Sequence, residues 1–557
     1  MGRHSRSGHA DGLSVDGSVQ VNHAPPGTGD ERMAPGLPSR PGGTTIVRST
    51  ALLAALAAAS GLLGFGRDTV IAAVFGASAA VDAYLVAQGL MNLVLALVAD
   101  AVAKAVVPPV ARAVIEGDPQ RSNRTVSTTL TVAAAALVPA SALMALNAEL
   151  VISLLAPGFE PEVAAQAARL TQIMLLATML VAGTDILAAV CQAHGRFFFS
   201  GLQGIPFNLT MIIFTAALGA RWGADALAAG FVVGSAFRLA VQLPAVRAVR
   251  LSLRPSVRMR DPGFREVLRL MPALLVGTAL VNVNTLVDRA VGSGQVEGTI
   301  TALNLGWRLV TLAYTLLVVT LVAALYPALS ALAAPERRGE LRRLTGQSLG
   351  GLLVVLAPVV AVLLAVTQPL VRVVFGRGEF GDTAVRMTST AIAFFAVALL
   401  GIAVGEVASR TYYALGDTRT PVAFAVLGMT INVIGDLTVG RAFGLPGIAA
   451  STTASFLFVA VGQVVALHVR HHAVDLRALL PRALRSTLAA VGVVASLTAL
   501  VRIWPEPAGG WSSNAVLLAV AMAIGGGVYV AVLALLNGPE LGEARLLGTR
   551  LIGRLRS

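Results

Sequence analysis

The sequence predicts an all-α polytopic membrane protein of about fourteen transmembrane helices: two six-helix lobes in a pseudo-two-fold repeat plus two C-terminal helices. Three observations predict it. Only 13% of residues are charged and 56% are hydrophobic, whereas a soluble domain carries roughly 25% charged residues. Apolar windows of about 20 residues recur from Ile46 to Leu536, each long enough to cross ~30 Å of hydrocarbon as a helix. Finally, the stretch Ala189–Ile213 is echoed by Arg410–Ile434, about 220 residues later.

Residues 1–45 come first and differ from all that follows. They are rich in Gly, Ser, Pro and His without apolar periodicity, which predicts a disordered cytoplasmic tail. His4, His9 and His23 are too scattered to form a metal site. The tail is also too long and polar for a secretory n-region. The predicted spans then run 46–73, 79–112, 125–155, 168–193, 198–219, 224–248, 266–290, 298–332, 343–367, 385–413, 420–440, 444–469, 482–503 and 512–537. Pro or Gly near several ends marks where helices stop or bend. Grouped, they give an N-lobe (46–250, spans one to six), a C-lobe (251–470, spans seven to twelve) and a C-terminal segment (471–557) with the last two spans.

The connections set the orientation. One set carries dense arginine, from Arg247 to Arg269 above all; the other is poor in cations and holds Glu160, Glu162, Glu297, Glu379, Asp382 and Glu506. Positive loops stay in the cytoplasm, so both termini are expected there. The net charge of +13 therefore serves membrane orientation, not nucleic-acid binding. The single cysteine, Cys191, excludes an intrachain disulfide and reads as a packed thiol. In the repeat, a small polar break after Ala193 or Ala414 precedes a helix with a central asparagine, Asn208 or Asn432. Six spans separate the copies, so the lobes share one orientation about an axis along the membrane normal. A substrate path then lies between them.

The run GLLGFGRDTVIAAVFGASAAVDAYLVA resembles the first-hairpin signature of the MurJ (MviN) family, the lipid II flippases of the multidrug/oligosaccharidyl-lipid/polysaccharide exporter superfamily. LLAPGF (Leu154–Phe159), GRFFFSGLQGIPFN (Gly195–Asn208), VVFGRGEF (Val373–Phe380) and YYALGDTRTP (Tyr412–Pro421) match in order, over residues 46 to about 470. The resemblance implies a transporter, not an enzyme, in the bacterial cytoplasmic membrane. Its substrate would be an undecaprenyl-pyrophosphate glycan moved to the outer leaflet by alternating access, for peptidoglycan biosynthesis and cell shape. Cell-wall synthesis enzymes become candidate partners. Nothing resembles a P-loop, a catalytic triad or a metal-ligand cluster.

By that resemblance Arg67, Asp68 and Arg308 are candidate substrate residues, since arginine suits bidentate phosphate contacts. Each interrupts an apolar stretch, where ionisable groups face a cavity or a partner; an ion pair that only fixes packing is the other reading. Asp82 matches a family acid, which either gates by pairing with a cation or is a solvated helix-end carboxylate. The family's further basic residues are missing, with Gly61, Leu95 and Ala96 in their places. Lys104 either supplies a replacement charge or pairs with Asp100 at i−4. Such a cation set leaves open another lipid-linked glycan, a drug or cation exporter, or a non-transporting scaffold. Asp288, Asn432, Asp436, Thr452 and the Ile448 carbonyl match a sodium site of some relatives, with a plain hydrogen-bonded cluster as the alternative. Asn432 and Asp436 share one helix face by their i, i+4 spacing. Asp185 and Glu406 are weaker candidates for a proton or ion relay. Arg377 and Glu379 read as a local pair in an outer turn, and Trp307 as packing.

Overall fold

The computed structural model describes residues 43–251, 254–504 and 510–536. Residues 1–42 of the predicted tail, with its three histidines, lie outside the described residues, and its last three residues begin the first helix instead. Ser49–Ser557 forms one compact unit.

The first half of the chain gives α1 (Gly43–Phe75), α2 (Ala79–Leu95), α3 (Ala101–Ile115), α4 (Pro119–Leu146), α5 (Ala148–Leu155), α6 (Pro161–Leu175), α7 (Thr178–Ala193), α8 (Phe197–Leu202), α9 (Gly204–Trp222), α10 (Ala224–Ala240) and α11 (Leu243–Ala248). The second gives α12 (Pro262–Ser293), α13 (Thr299–Tyr314), α14 (Thr320–Ala331), α15 (Arg338–Ala365), α16 (Thr367–Val374), α17 (Asp382–Ala414), α18 (Arg419–Gly435), α19 (Arg441–Phe443) and α20 (Leu445–His471). α21 (Leu476–Ile503) and α22 (Trp511–Leu535) close the chain. No strand occurs among the described residues.

Among the described residues twelve helices are long and apolar enough to cross a membrane, or thirteen if α6 and α7, bent by 44°, form one span. That falls short of the fourteen predicted. The predicted span 266–290 lies on α12, which this count does not include. The repeat has a backbone signature that hydropathy did not reveal. Single π-helical turns join α2 to α3 at Ala96–Asp100 and α13 to α14 at Thr315–Val319, at corresponding places in the two halves.

The three largest apolar cores among the described residues hold most of the helices. One gathers Leu90, Met91, Leu137, Ile152, Leu170, Met174, Met211 and Leu227 from the first half, with Ile300 of α13. A second gathers Leu349, Leu356, Phe375, Ile392, Leu399, Tyr412 and Leu467 from the second half, with Ala72 of α1. A third packs α15 against α21 and α22 through Ala361, Val493, Leu497, Ala521 and Tyr529. Lipid tails are as apolar as leucine, so close packing and hydrogen bonds, rather than hydrophobic expulsion, distinguish these contacts from lipid. The Tyr529 hydroxyl accordingly donates to the Val354 carbonyl at 2.9 Å.

YYALGDTRTP is a helix-to-helix corner. α17 ends at Ala414 and Gly416 turns the chain at φ +77°, a conformation glycine adopts without steric cost. The Asp417 carboxylate then accepts the Arg419 and Thr420 amides at 3.1 and 3.0 Å and the Thr420 hydroxyl at 2.7 Å, capping α18. Partial burial opposes the charge on Asp417, but the bonds from Thr420 and His471 hold its carboxyl below the usual range. The most specific motif of the sequence thus builds a turn.

Candidate functional site

α1 brings Arg67 and Asp68 deep into the helix bundle, where both are buried. Consecutive residues on a helix point about 100° apart, yet the long arginine stem folds back onto its neighbour. Arg67 donates Nε and Nη2 to Asp68 Oδ1 at 3.0 and 2.7 Å. Its Nη1 reaches Asn208 Oδ1 of α9 at 3.3 Å, and its guanidinium lies 5.9 Å over the Phe207 ring. From α13, Arg308 donates Nε to the other Asp68 oxygen at 3.0 Å. One carboxylate therefore bridges two arginines from opposite halves of the chain. Together they line a cavity of about 160 Å³ with Tyr84, Gln88 and Asn304. The Arg308 side chain remains half exposed.

Beside this cavity the arginine-poor face is closed. Asp82 is buried and accepts the Gly298 amide at 2.9 Å, the Thr301 amide at 2.7 Å and the Thr301 hydroxyl at 2.6 Å. It is neither a solvated acid nor the partner of a cation: it caps α13 from α2. Reciprocally, Glu297 before α13 accepts the Ala79 amide at the start of α2, at 2.9 Å. Each carboxylate sits on the positive end of the other half's helix. The Glu379 amide adds a bond to the Ala73 carbonyl at 2.9 Å. Next to it Gly378 sits at φ +58°, where a Cβ would come within 2.1 Å of that carbonyl oxygen.

The five predicted sodium-site positions also converge. Asp288 of α12 and Asp436 of the π-helical turn Asp436–Gly440 face each other at hydrogen-bonding distance. Asn432 Nδ2 donates to Asp436 Oδ2 at 3.1 Å and approaches Thr452 Oγ1 at 3.4 Å. The Thr452 hydroxyl donates to the Ile448 carbonyl at 3.2 Å. Asp288 Oδ1, Asn432 Oδ1 and Asp436 Oδ1 are buried without any hydrogen-bond donor. Three orphan oxygens beside a hydroxyl and a carbonyl form an all-oxygen set that fits a hard cation. No group of three His, Cys, Asp or Glu able to hold a metal occurs among the described residues, which distinguishes this set from a transition-metal site. A cavity of about 400 Å³ adjoins it, lined by Asp288, Ile448 and Thr452.

Other candidates separate from these sites. Lys104 is exposed on α3 and does not line the Arg67–Arg308 cavity. Leu95 and Ala96 are packed in the interior, and a Cβ on Gly61 would meet open space. Asp185 pairs with Arg238 at 2.6 Å, and Glu406 with Arg410 at 2.7 Å. Arg377 and Glu379 are not a pair: Arg377 lies 6.0 Å over the Trp511 ring. Trp307 packs as expected, stacked on Phe456 and edge-on to Phe395. Cys191 is buried and free.

Arg289 was missed. It is buried next to Asp288 and its Nη1 bonds the Leu85 carbonyl of α2, so neighbouring residues of α12 serve the cation-type cluster and the other half of the chain. The signal was present, since Asp288–Arg289 repeats Arg67–Asp68 in reverse order. The capping roles of Glu297 and Thr301 left no such signal.

A sequence model of the lipid II flippase MurJ family matches residues 71–519. The chain is 26% identical over 524 residues to the probable lipid II flippase MurJ of Rhizobium meliloti, covering 90% of this chain and 96% of that one. It is 26% identical over 401 residues to the lipid II flippase MurJ of Burkholderia cenocepacia, covering 70% and 78%. In fold it is similar to a lipid II flippase MurJ in an inward closed conformation, with TM-score 0.72 and 20% identity over 87% of this chain and all of that one. It is also similar to an inward-facing multidrug resistance MATE family transporter, with TM-score 0.58 and 14% identity over 76% and 94%.

Proposed function

The chain belongs to the lipid II flippase MurJ family, and on that premise we propose that it moves an undecaprenyl-pyrophosphate-linked peptidoglycan precursor from the cytoplasmic to the outer leaflet by alternating access. Family and apolar helices support an inner-membrane transporter. The arginine-rich connections face the cytoplasm in this reading, with both termini.

The observation that carries it is the carboxylate of Asp68 bridging Arg67 and Arg308 across the two halves. Two guanidiniums against one carboxylate leave net positive charge in a water-accessible cavity, which suits an anion. A pyrophosphate reaching Arg308 competes with Asp68 for its fork-shaped donors. Breaking that bridge loosens one tie between the lobes. Outward opening further requires releasing Asp82 from α13, Glu297 from α2 and Arg289 from Leu85.

Sodium is the coupling ion in this proposal, held by Asp288, Asn432, Asp436, Thr452 and the Ile448 carbonyl. Bound there, a cation cancels the repulsion between two carboxylates. Asp288 then sets the rotation of α12, and Arg289 transmits it to α2. Such coupling exists only if the ion binds one state more tightly than the other. Enzymes that consume the precursor on the outer face are the partners that follow.

The packed positions Leu95 and Ala96 favour one second reading, a flippase for another lipid-linked glycan. A leaflet-resolved assay of lipid II in proteoliposomes, with and without Na⁺, tests the proposal. Transport by wild type that fails in Arg67→Ala and Arg308→Ala, at normal expression, supports it. Equal delivery by all three removes the two arginines from the transport step, and no delivery by wild type above protein-free liposomes leaves a scaffold.

A further inference from the structure

The connection before α12 builds a second basic cavity, away from Arg67 and Arg308. Residues 254–261 are strapped to α4: the Ser256 amide donates to Thr131 Oγ1 at 3.0 Å, and the Thr125 hydroxyl to Asp261 Oδ2 at 2.8 Å. The strap and the first turns of α4 border an open cavity of about 600 Å³, with Arg121, Arg124, Arg258 and Arg260 on the walls. Arg121 pairs with Glu116 at 2.5 Å. Arg124, Arg258 and Arg260 are exposed and make no side-chain hydrogen bond or ion pair among the described residues. Asp261 is the one acid on the wall, and it is buried by its bonds to Thr125 and the Phe264 amide.

Orientation-setting charge explains arginines in loops; it does not explain four converging on one cavity. Like charges so placed repel unless an anion joins them. Val257 and Met259 share the wall at 68% and 53% exposure, an apolar lip on a basic cavity at the end of a membrane helix. That combination suits a lipid carrying a multiply charged phosphate group better than a soluble anion.

We propose that this cavity is a loading site for a pyrophosphoryl-lipid head group, occupied before the lipid reaches the cavity of Arg67 and Arg308; the assignment rests on the flippase reading. The test uses the full chain in phosphatidylcholine nanodiscs, in an Arg67→Ala/Arg308→Ala background that removes the central ligands. Undecaprenyl pyrophosphate is the probe, and native mass spectrometry reads its retention. The background protein is expected to retain the probe roughly tenfold better than the same protein carrying Arg124→Gln, Arg258→Gln and Arg260→Gln, the effect of losing charge-assisted hydrogen bonds. Lysine at the same three positions preserves loop charge and topology but not the fork, and should fall between. Equal retention by the glutamine variant overturns the site. So does equal retention of phosphatidylglycerol by the background protein, which would mark a general anionic-lipid surface. The readouts also separate the two claims. If the glutamine triple in an otherwise wild-type chain transports normally while Arg67→Ala does not, the loading site fails and the flippase reading stands. If the wild-type chain transports no more lipid than protein-free vesicles, the flippase reading fails.

Discussion

The Asp68 cluster and the Asp288 cluster occupy corresponding places in the two halves, yet they carry opposite charge balances. Asp68 stands eleven residues before the first residue of α2, and Asp288 eleven before the first of α13. Each is linked to an asparagine of the repeat-related helix through one side chain, Arg67 to Asn208 and Asp436 to Asn432. At the first cluster the chain supplies cations from both halves, Arg67 and Arg308, to one carboxylate. In the second, two carboxylates face each other and the nearby Arg289 is committed to Leu85. A duplicated polar scaffold thus holds a cation-rich or a carboxylate-rich set of side chains according to which side brings the guanidinium. Burial amplifies the difference, because charge is screened far less there than in water.

The largest expected effect breaks the first cluster. Arg67→Ala leaves Asp68 one guanidinium and is expected to lower lipid translocation on the order of 100-fold, since removing one partner of a buried pair costs about 3–5 kcal/mol. Proteoliposome flipping rates check it, and near-normal transport would refute an anion role for this cluster. Next, Asp436→Asn should abolish stabilisation by Na⁺. Wild type is expected to gain roughly 2–3 kcal/mol at saturating Na⁺ and the variant none, measured by thermal melting in NaCl against choline chloride. A variant still stabilised by Na⁺ would place the ion elsewhere.

Smaller effects sharpen how the halves are joined. Asp82→Ala should cost about 1–2 kcal/mol of cap energy and shift the lobes toward outward opening by roughly tenfold. Distance measurements between spin labels flanking the gap read that shift. Arg377→Ala removes an exposed cation–π contact and a 3.3 Å bond to the Val373 carbonyl and should change melting by less than about 1 kcal/mol. The smallest effect lies at Asp417, whose carboxyl is held below the usual range. Its contribution to stability is present above the ordinary aspartate value near ~3.9 and fades as pH falls through its lower native value. Melting curves across that acid window should flatten in Asp417→Asn.

Membrane character and the two-half repeat were legible because composition and periodicity are local properties. The meeting of Asp288, Asn432, Asp436, Thr452 and Ile448 was legible too, through resemblance. The closure between the two halves was not. Asp82 gives no sign in the sequence that its partners are backbone amides more than two hundred residues away. The Arg377–Glu379 expectation failed for the same reason, since proximity in sequence favoured a pair that Trp511 pre-empts. Lys104 shows the limit of counting charges: the residue is present, but α3 carries it away from the cavity.

By itself the sequence determined that this chain must live in lipid, because too few charges and too many apolar windows leave no soluble alternative. It also determined which ionisable residues are costly enough there to need a reason. Only the tertiary structure decided what those reasons are. A guanidinium or carboxylate acquires its role from the groups that meet it after packing, and helices distant in the chain supply nearly all of them.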